Sequence, residues 1–306
     1  MNIALLKNEI IKNIREILYE NEFIEVHTPI IRRGTNPIFK RPIADFSEKE
    51  PSLKVGYLRD SMEVPLRACL QYNKRVFELG QCFRFDLPDI THYPEFLMME
   101  LYASDLNIHD IKKITKDIVN KAYNTNLSYN DVSIKDFIKQ NHNISIDTLN
   151  DDDLKTALIQ MDKSLLKSNS TTYELFNDFI EKHIDYSNGF TFLQDYHKCT
   201  ISTAKKQNSS NTINRFEFFI NGLEIANAYE DEEDLEDMKQ RCVKVGLFNY
   251  EEEEICRMIT NKIIPVSSVG LGIGIDRLCM SVAKQHDISE CILSKKFNFI
   301  NNEENK

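Results

Sequence analysis

Residues Arg75–Tyr102 read RVFELGQCFRFDLPDITHYPEFLMMELY, a pattern of strand, polar loop and strand. Apolar residues alternate through Arg75–Phe85, so Phe77, Leu79 and Phe83 fall on one side and Glu78, Cys82 and Arg84 on the other. From Phe96 onward the same period places Met98, Glu100 and Tyr102 on one face and Leu97, Met99 and Leu101 on the opposite one. An ordinary antiparallel hairpin with one solvated face shows this alternation too. A hairpin that aims Arg, Glu and Tyr at one surface also has the makings of a site.

The second informative stretch is VGLGIGIDRLCM, Val269–Met280. Glycine alternates with Leu and Ile, and the chain then enters an amphipathic helix with Arg277 in its first turn. Only nine glycines occur in the protein, and Gly270, Gly272 and Gly274 strip one strand face of side chains. A backbone needs that if a flat ligand is to lie against it.

A third stretch, RFEFFINGLEIANAYEDEED, carries Asn221-Gly222 between apolar runs, a strong two-residue hairpin signal. With that turn, residue 220 pairs with 223, 219 with 224 and 217 with 226. Glu217 and Glu224 then become diagonal neighbours on one face. Two carboxylates so placed repel unless a cation sits between them, and Mg²⁺ bridged to nucleotide phosphates suits the position. Two solvated glutamates on an open face are the competing reading.

Composition sets bounds on these readings. The chain has 306 residues, 42% of them hydrophobic, enough for one large domain or two small ones. Its net charge of −10 argues against a broad phosphate-binding surface. Seven cysteines show neither CxxC spacing nor an even framework, as expected of reduced core thiols in a cytoplasmic protein. No signal peptide, transit segment or long apolar span is present.

The FR…HYPEF…MELY hairpin and the distant GLGIGIDRL together resemble motifs 2 and 3 of the class II aminoacyl-tRNA synthetases. THYPEF, MMELY and GLGIGIDRL are most similar to the lysyl branch, and the resemblance runs from about Glu22 to Leu293. It implies an α+β fold in a single catalytic domain over 1–306, with a mostly antiparallel six-stranded sheet flanked by helices. FIEVHTPIIRR follows an opening helix marked by Leu6, Ile10, Ile14 and Leu18 and matches motif 1, which implies a homodimer.

The same resemblance implies roles for individual residues. Arg84 and Arg277 would be the catalytic pair, the first on the α-phosphate of ATP and the second on the γ-phosphate and leaving pyrophosphate. Phe96 would stack on adenine and His92 would contact the β/γ-phosphates. Asp86, Tyr93, Glu224, Ile225 and Gly274 complete the ATP-binding set, and Glu217 and Glu224 would hold Mg²⁺. On the amino-acid side, Ser61 and Glu63 match the segment set against the α-amino group, and Asn227 the group that meets the carboxylate. Glu100 and Tyr102 match residues that grip a lysine ε-amino group, Asp231 stands where a second gripping Glu is expected, and Gly272 lies beside them. Acids at the far end of a pocket select a cationic side chain, because each is costly when left unpaired in a dry site. For Glu100, a structural ion pair with a nearby Arg is the competing reading.

The chain departs from the pattern at several positions. Phe85-Asp86 replaces the usual Asn-Glu after the motif 2 arginine, Tyr93 replaces an Asn, and Asp231 is one methylene shorter than Glu. Gly272 stands where the elongation factor P–lysine ligases carry Ala. The chain starts almost directly at motif 1, so the resemblance leads to the expectation of a catalytic domain without an anticodon-binding OB domain. Residues 124–188, rich in Asn, Asp and Lys, are expected as a helical insertion. The implied function is ATP-dependent activation of lysine or a lysine-like amino acid, with transfer to an acceptor other than full tRNA, foremost a lysine of elongation factor P. Two rivals stay open: a ligase loading a small molecule or carrier protein, and a non-catalytic sensor or regulatory subunit. Phe85, Asp86 and Tyr93 favour the sensor, whereas Arg84, Glu217, Glu224 and Arg277 speak against it.

Overall fold

The computed structural model describes residues 2–33, 43–44, 56–85, 87–165, 170–201 and 203–293. Helix α1 (Ile3–Glu20) begins at Asn2, whose side chain accepts from the Leu5 amide, and buries Ile10, Ile14, Ile17 and Leu18. The short strands β1 (Ile24–Glu25), β2 (Ile31–Arg32), β3 (Ile43–Ala44) and β4 (Gly56–Leu58) lead to helix α2 (Glu63–Cys69). The expected hairpin follows as β5 (Arg75–Phe83) and β6 (Glu95–Ala103). Helix α3 (Ile108–Tyr123) starts at a capping box in which Asn107 and Asp110 satisfy each other's backbone donors.

Strand β7 (Tyr129–Ser133) and helices α4 (Ile134–His142), α5 (Asp151–Met161) and α6 (Thr172–His183) fill the next segment. Strands β8 (Phe190–Gln194), β9 (Arg215–Ile220) and β10 (Leu223–Glu230) return to the sheet. Helices α7 (Leu235–Lys244) and α8 (Tyr250–Thr260), strand β11 (Val269–Gly274) and helix α9 (Ile275–Ala283) complete the order.

The α+β class holds, but the main sheet has eight strands rather than six, in the order β1-β5-β6-β11-β10-β9-β8-β7. Its six central strands are antiparallel neighbours, and β1 and β7 add parallel edges. The extra strand β7 comes from the stretch expected to be helical, which is therefore not helical throughout. Its helices bury Ile134, Leu154, Phe176 and Phe179 in a cluster shared with Phe219 and Tyr229. Helices α1, α3 and α9 cover one face of the main sheet over Phe77, Met99, Leu101, Phe218 and Leu271. The opposite face carries the polar side chains.

The Asn221-Gly222 turn forms with positive φ at both residues (49° and 82°), as a two-residue hairpin requires. Its register matches expectation at Leu223↔Ile220 and Glu224↔Phe219 and then shifts by one, so that Ala226 faces Phe218 and Asn227 faces Glu217. A bulge at Ile225 causes the shift. Glu224 and Asn227 are three residues apart and cannot share a face of a regular strand; the extra residue turns both the same way.

Candidate active site

Two rows of cross-strand partners build the polar face. One runs Glu78, Glu100, Gly272, Asn227, Glu217; the next runs Val76, Tyr102, Gly270, Tyr229, Arg215. The glycines make room for their neighbours. A Cβ at Gly270 would lie 2.7 Å from Cζ of Tyr102, so the phenol fills the space expected for a ligand there. At Gly272 it would meet the Met98 Cε at 3.1 Å and the Glu100 Cγ at 3.6 Å, and at Gly274 only Arg277, at 3.7 Å. Thus only part of the glycine platform is open to a ligand.

At one end of the face the charge is negative. Glu100 is buried, its Oε2 accepts from the Met62 amide at 2.8 Å, and no cation lies within ion-pair distance of it among the described residues. Burial, and after it the charge of Glu63, pushes its carboxyl up to about 8. Glu63, in the first turn of α2, accepts from the Tyr229 hydroxyl. Burial raises its carboxyl to about 7, with Asp231 and Glu252 adding to the rise. The Tyr102 hydroxyl is buried without a hydrogen-bond partner among the described residues. Asp231, by contrast, is already paired with Arg67 (3.2 Å) and accepts from Ser268 Oγ. The Ser61 carbonyl accepts from Arg32 Nη1 at 2.9 Å, and Arg32 in turn pairs with Glu251 of α8.

At the other end arginines and carboxylates are interleaved. The Arg84 guanidinium sits 5.2 Å from the centroid of the Phe96 ring, with Nε directed at the Asp60 carbonyl (3.4 Å). Arg277 donates to the carbonyls of Thr91 (3.2 Å) and Glu224 (3.1 Å) and pairs with the Glu224 carboxylate at 3.4 Å. His92 Nδ1 lies 2.9 Å from Asp89, whose carboxyl is drawn down to about 2, first by the Thr91 amide. Glu217 accepts from the Tyr196 hydroxyl at 2.6 Å and pairs with Arg215. Burial first, and the charge of Glu217 second, raises the Glu224 carboxyl above its ordinary range.

Among the described residues no cluster of three or more His, Cys, Asp or Glu is spaced to hold a metal ion alone. Two mutually repelling carboxylates do fit the one- or two-carboxylate share that a protein gives Mg²⁺ when phosphates supply the rest.

Most expected site residues therefore meet on one sheet face. Tyr93 does not, for its ring is buried in the hydrophobic core. Ile225 is buried at the bulge, where its part is to set register. Asp86 lies outside the described residues, as do most of 34–60, a polar stretch that reads in the sequence as a loop bordering the cleft, and the residues from 294, which read as a polar tail.

Several contributors escaped the sequence reading. Arg67 is four residues after Glu63 on one helix face, and Arg215 two before Glu217 on one strand face. Both spacings were readable. Asp276, beside Arg277, accepts from the Leu97 amide at 2.7 Å and pairs with Lys7 of α1. The buried Arg59–Glu78 pair (2.6 Å) had no local signature.

The family model for class II tRNA synthetases (D, K and N) matches residues 1–296. The chain belongs to that family. It is 30% identical to the lysine–tRNA ligase of Mycoplasma genitalium, over 95% of this chain and 64% of the relative. It is 31% identical to that of Saccharolobus solfataricus, over 94% and 63%, and 28% to that of Clostridium tetani, over 94% and 62%. The chain thus spans a little under two thirds of the length of the curated relatives it matches. All seven cysteines are free, and no helix among the described residues is long and apolar enough to cross a membrane.

Proposed function

We propose that this protein activates lysine, or an amino acid with a lysine-like cationic side chain, at the expense of ATP. The observation that carries this reading is the pairing of Glu63 and Glu100 around an unsatisfied Tyr102 hydroxyl, with Asp231 already cancelled by Arg67. Two acids without an ion-pair partner among the described residues, beside a phenol that makes no hydrogen bond there, suit the two ammonium groups of lysine.

The amino-acid carboxylate attacks the α-phosphorus, the bond to the β-bridging oxygen breaks, and pyrophosphate leaves. Arg84 stabilises charge growing on the α-phosphoryl oxygens, and Arg277 orients the departing phosphates. Glu217 and Glu224 would hold Mg²⁺, which when bound neutralises phosphate charge. Asn227, whose Oδ1 is held by Arg215 Nε at 3.2 Å, directs its amide toward the carboxylate of the amino acid.

For the second step the reading is transfer to an amine on a protein, with elongation factor P as the first acceptor to try. Support comes from the loop beside Arg84, where Phe85 is 73%, Leu87 87% and Ile90 64% exposed and neither Lys nor Arg occurs. Such a tip suits an apolar protein surface better than phosphates. The family match favours a second reading, transfer to tRNA. A homodimer is part of the proposal, as is action in the cytoplasm.

The test is amino-acid-dependent ATP–pyrophosphate exchange, followed by transfer of labelled lysine to purified elongation factor P and to tRNA. Exchange with a cationic amino acid alone, lost in Arg84→Ala and Glu100→Ala, is the expected result. Full activity in either variant, or no exchange from folded dimer, refutes the assignment.

A further inference from the structure

Behind Glu63, between α2 and α8, lies a cavity of about 20 Å³ lined by Glu63, Arg67, Thr203, Glu252, Met238 and Ile255. Two of these lining residues each carry a buried polar atom with no hydrogen bond among the described residues: Arg67 Nε, a donor, and Glu252 Oε2, an acceptor. The other two nitrogens of Arg67 are committed, Nη1 to Asp231 at 3.2 Å and Nη2 to the Val266 carbonyl at 3.4 Å. Thr203 adds a hydroxyl, which donates to Tyr229 at 3.2 Å and keeps its lone pairs free to accept. Buried polar groups seldom stay unmatched, and roughly 10–15 Å³ is enough for one water.

We propose that an ordered water occupies this cavity, accepting from Arg67 Nε and donating to Glu252 Oε2, and that Glu252 thereby acts as a positioning residue for the amine pocket. The inference rests on the lysine reading only in its second half. Arg67 stands among three acids, Asp231, Glu63 and Glu252. Turned toward Glu63, it would cancel a charge meant for the substrate. Tethered through the water to Glu252, it stays on Asp231 and leaves Glu63 and Glu100 to ammonium groups. Burial raises the Glu252 carboxyl above its ordinary range, consistent with a group cut off from bulk solvent.

A crystal structure showing ordered solvent decides the first half. A density peak within hydrogen-bond distance of both atoms is expected, and an empty cavity or a direct Arg67–Glu252 contact overturns the proposal. The second half is read by calorimetry and exchange kinetics on Glu252→Leu and Glu252→Gln in the full-length protein. Glu252→Leu is expected to weaken lysine binding about tenfold, the worth of one hydrogen bond, with ATP binding and kcat unchanged. Glu252→Gln, which keeps an acceptor, restores most of that loss. Equal loss in both variants, or a parallel fall in ATP binding, makes Glu252 merely structural and overturns the positioning role. If wild-type protein binds ATP but no cationic amino acid, the lysine reading and the positioning role fall together, while the density still decides the water.

Discussion

Glu78 and Glu100 stand directly opposite each other across the β5–β6 pair, on the same side of the sheet, and both are buried. Glu78 is fully answered: Arg59 Nη1 lies at 2.6 Å, and the Thr28 amide and hydroxyl donate at 2.9 and 2.7 Å. Glu100 has one backbone amide. Two identical side chains one strand apart are thus in opposite states, one fully paired and the other without a cation at ion-pair distance among the described residues.

The contrast predicts opposite mutational signatures. Glu78→Gln leaves Arg59 buried without its anion and is expected to cost about 3–5 kcal/mol of stability. Glu100→Gln exchanges a buried carboxyl that has one backbone hydrogen bond and no ion-pair partner among the described residues, so thermal stability stays level or rises while lysine activation collapses. Paired melting curves and exchange assays check this, and a large loss of stability in Glu100→Gln would make it structural.

Raised carboxyls at Glu63 and Glu100 give a pH dependence. Both bind a proton more tightly folded (about 7 and 8) than unfolded (4.5), so the folded state holds the extra proton between those values. Their contribution to stability is largest at acid pH, falls as pH rises through that window, and levels off above about 8. A bound ammonium prefers the ionised acids, so lysine affinity should climb over the same range with proton release. Calorimetry in buffers of different ionisation enthalpy measures the release; the Glu63→Gln, Glu100→Gln double variant should abolish it.

Three glycines in one strand should respond in a graded way. Gly270→Ala drives a methyl into the Tyr102 ring and should destabilise the protein and end activity. Gly272→Ala presses on the flexible end of Met98 and mainly shifts substrate preference. Gly274→Ala makes ordinary contact with Arg277 and should fold normally. Melting temperatures in that order, lowest for Gly270→Ala, are the expected reading.

Arg277 ties the loop at Thr91 to the backbone of Glu224 through separate nitrogens of one planar fork. The compact ammonium of Lys, on a flexible stem, lacks the planar fork that holds the two carbonyls apart. Arg277→Lys should therefore lower kcat for exchange by roughly 10²–10³ with little change in lysine KM. An unchanged kcat removes Arg277 from the catalytic set.

The faces of the hairpin were legible because period two is a local property: Glu78, Cys82 and Arg84 sort themselves without knowledge of their partners. The Asn-Gly turn was legible for the same reason. The bulge at Ile225 was not, since nothing in Leu223–Asn227 marks an extra residue, and register is a property of two strands. Strand β1 is only two residues long, and β7 lies within NLSYNDVS, whose polar character hides a strand held by its neighbour. Tyr93 was placed at the nucleotide by alignment with a polar position, whereas its own apolar ring follows the hydrophobic core. Gly270 was read as ligand space because the sequence does not show which side chain will claim the gap.

The Lys7–Asp276 pair reaches further than its place in the core suggests. Asp276 grips the Leu97 amide of the hairpin and neighbours Arg277, while Lys7 sits in the second turn of the first helix. Leu5 and Tyr19 of that helix remain exposed. The first helix is joined, through Lys7 and Asp276, to the hairpin strand at Leu97 and to the residue next to Arg277. A change at that one lysine would thus be felt at both ends of the chain's fold, in the opening helix and in the strand it steadies.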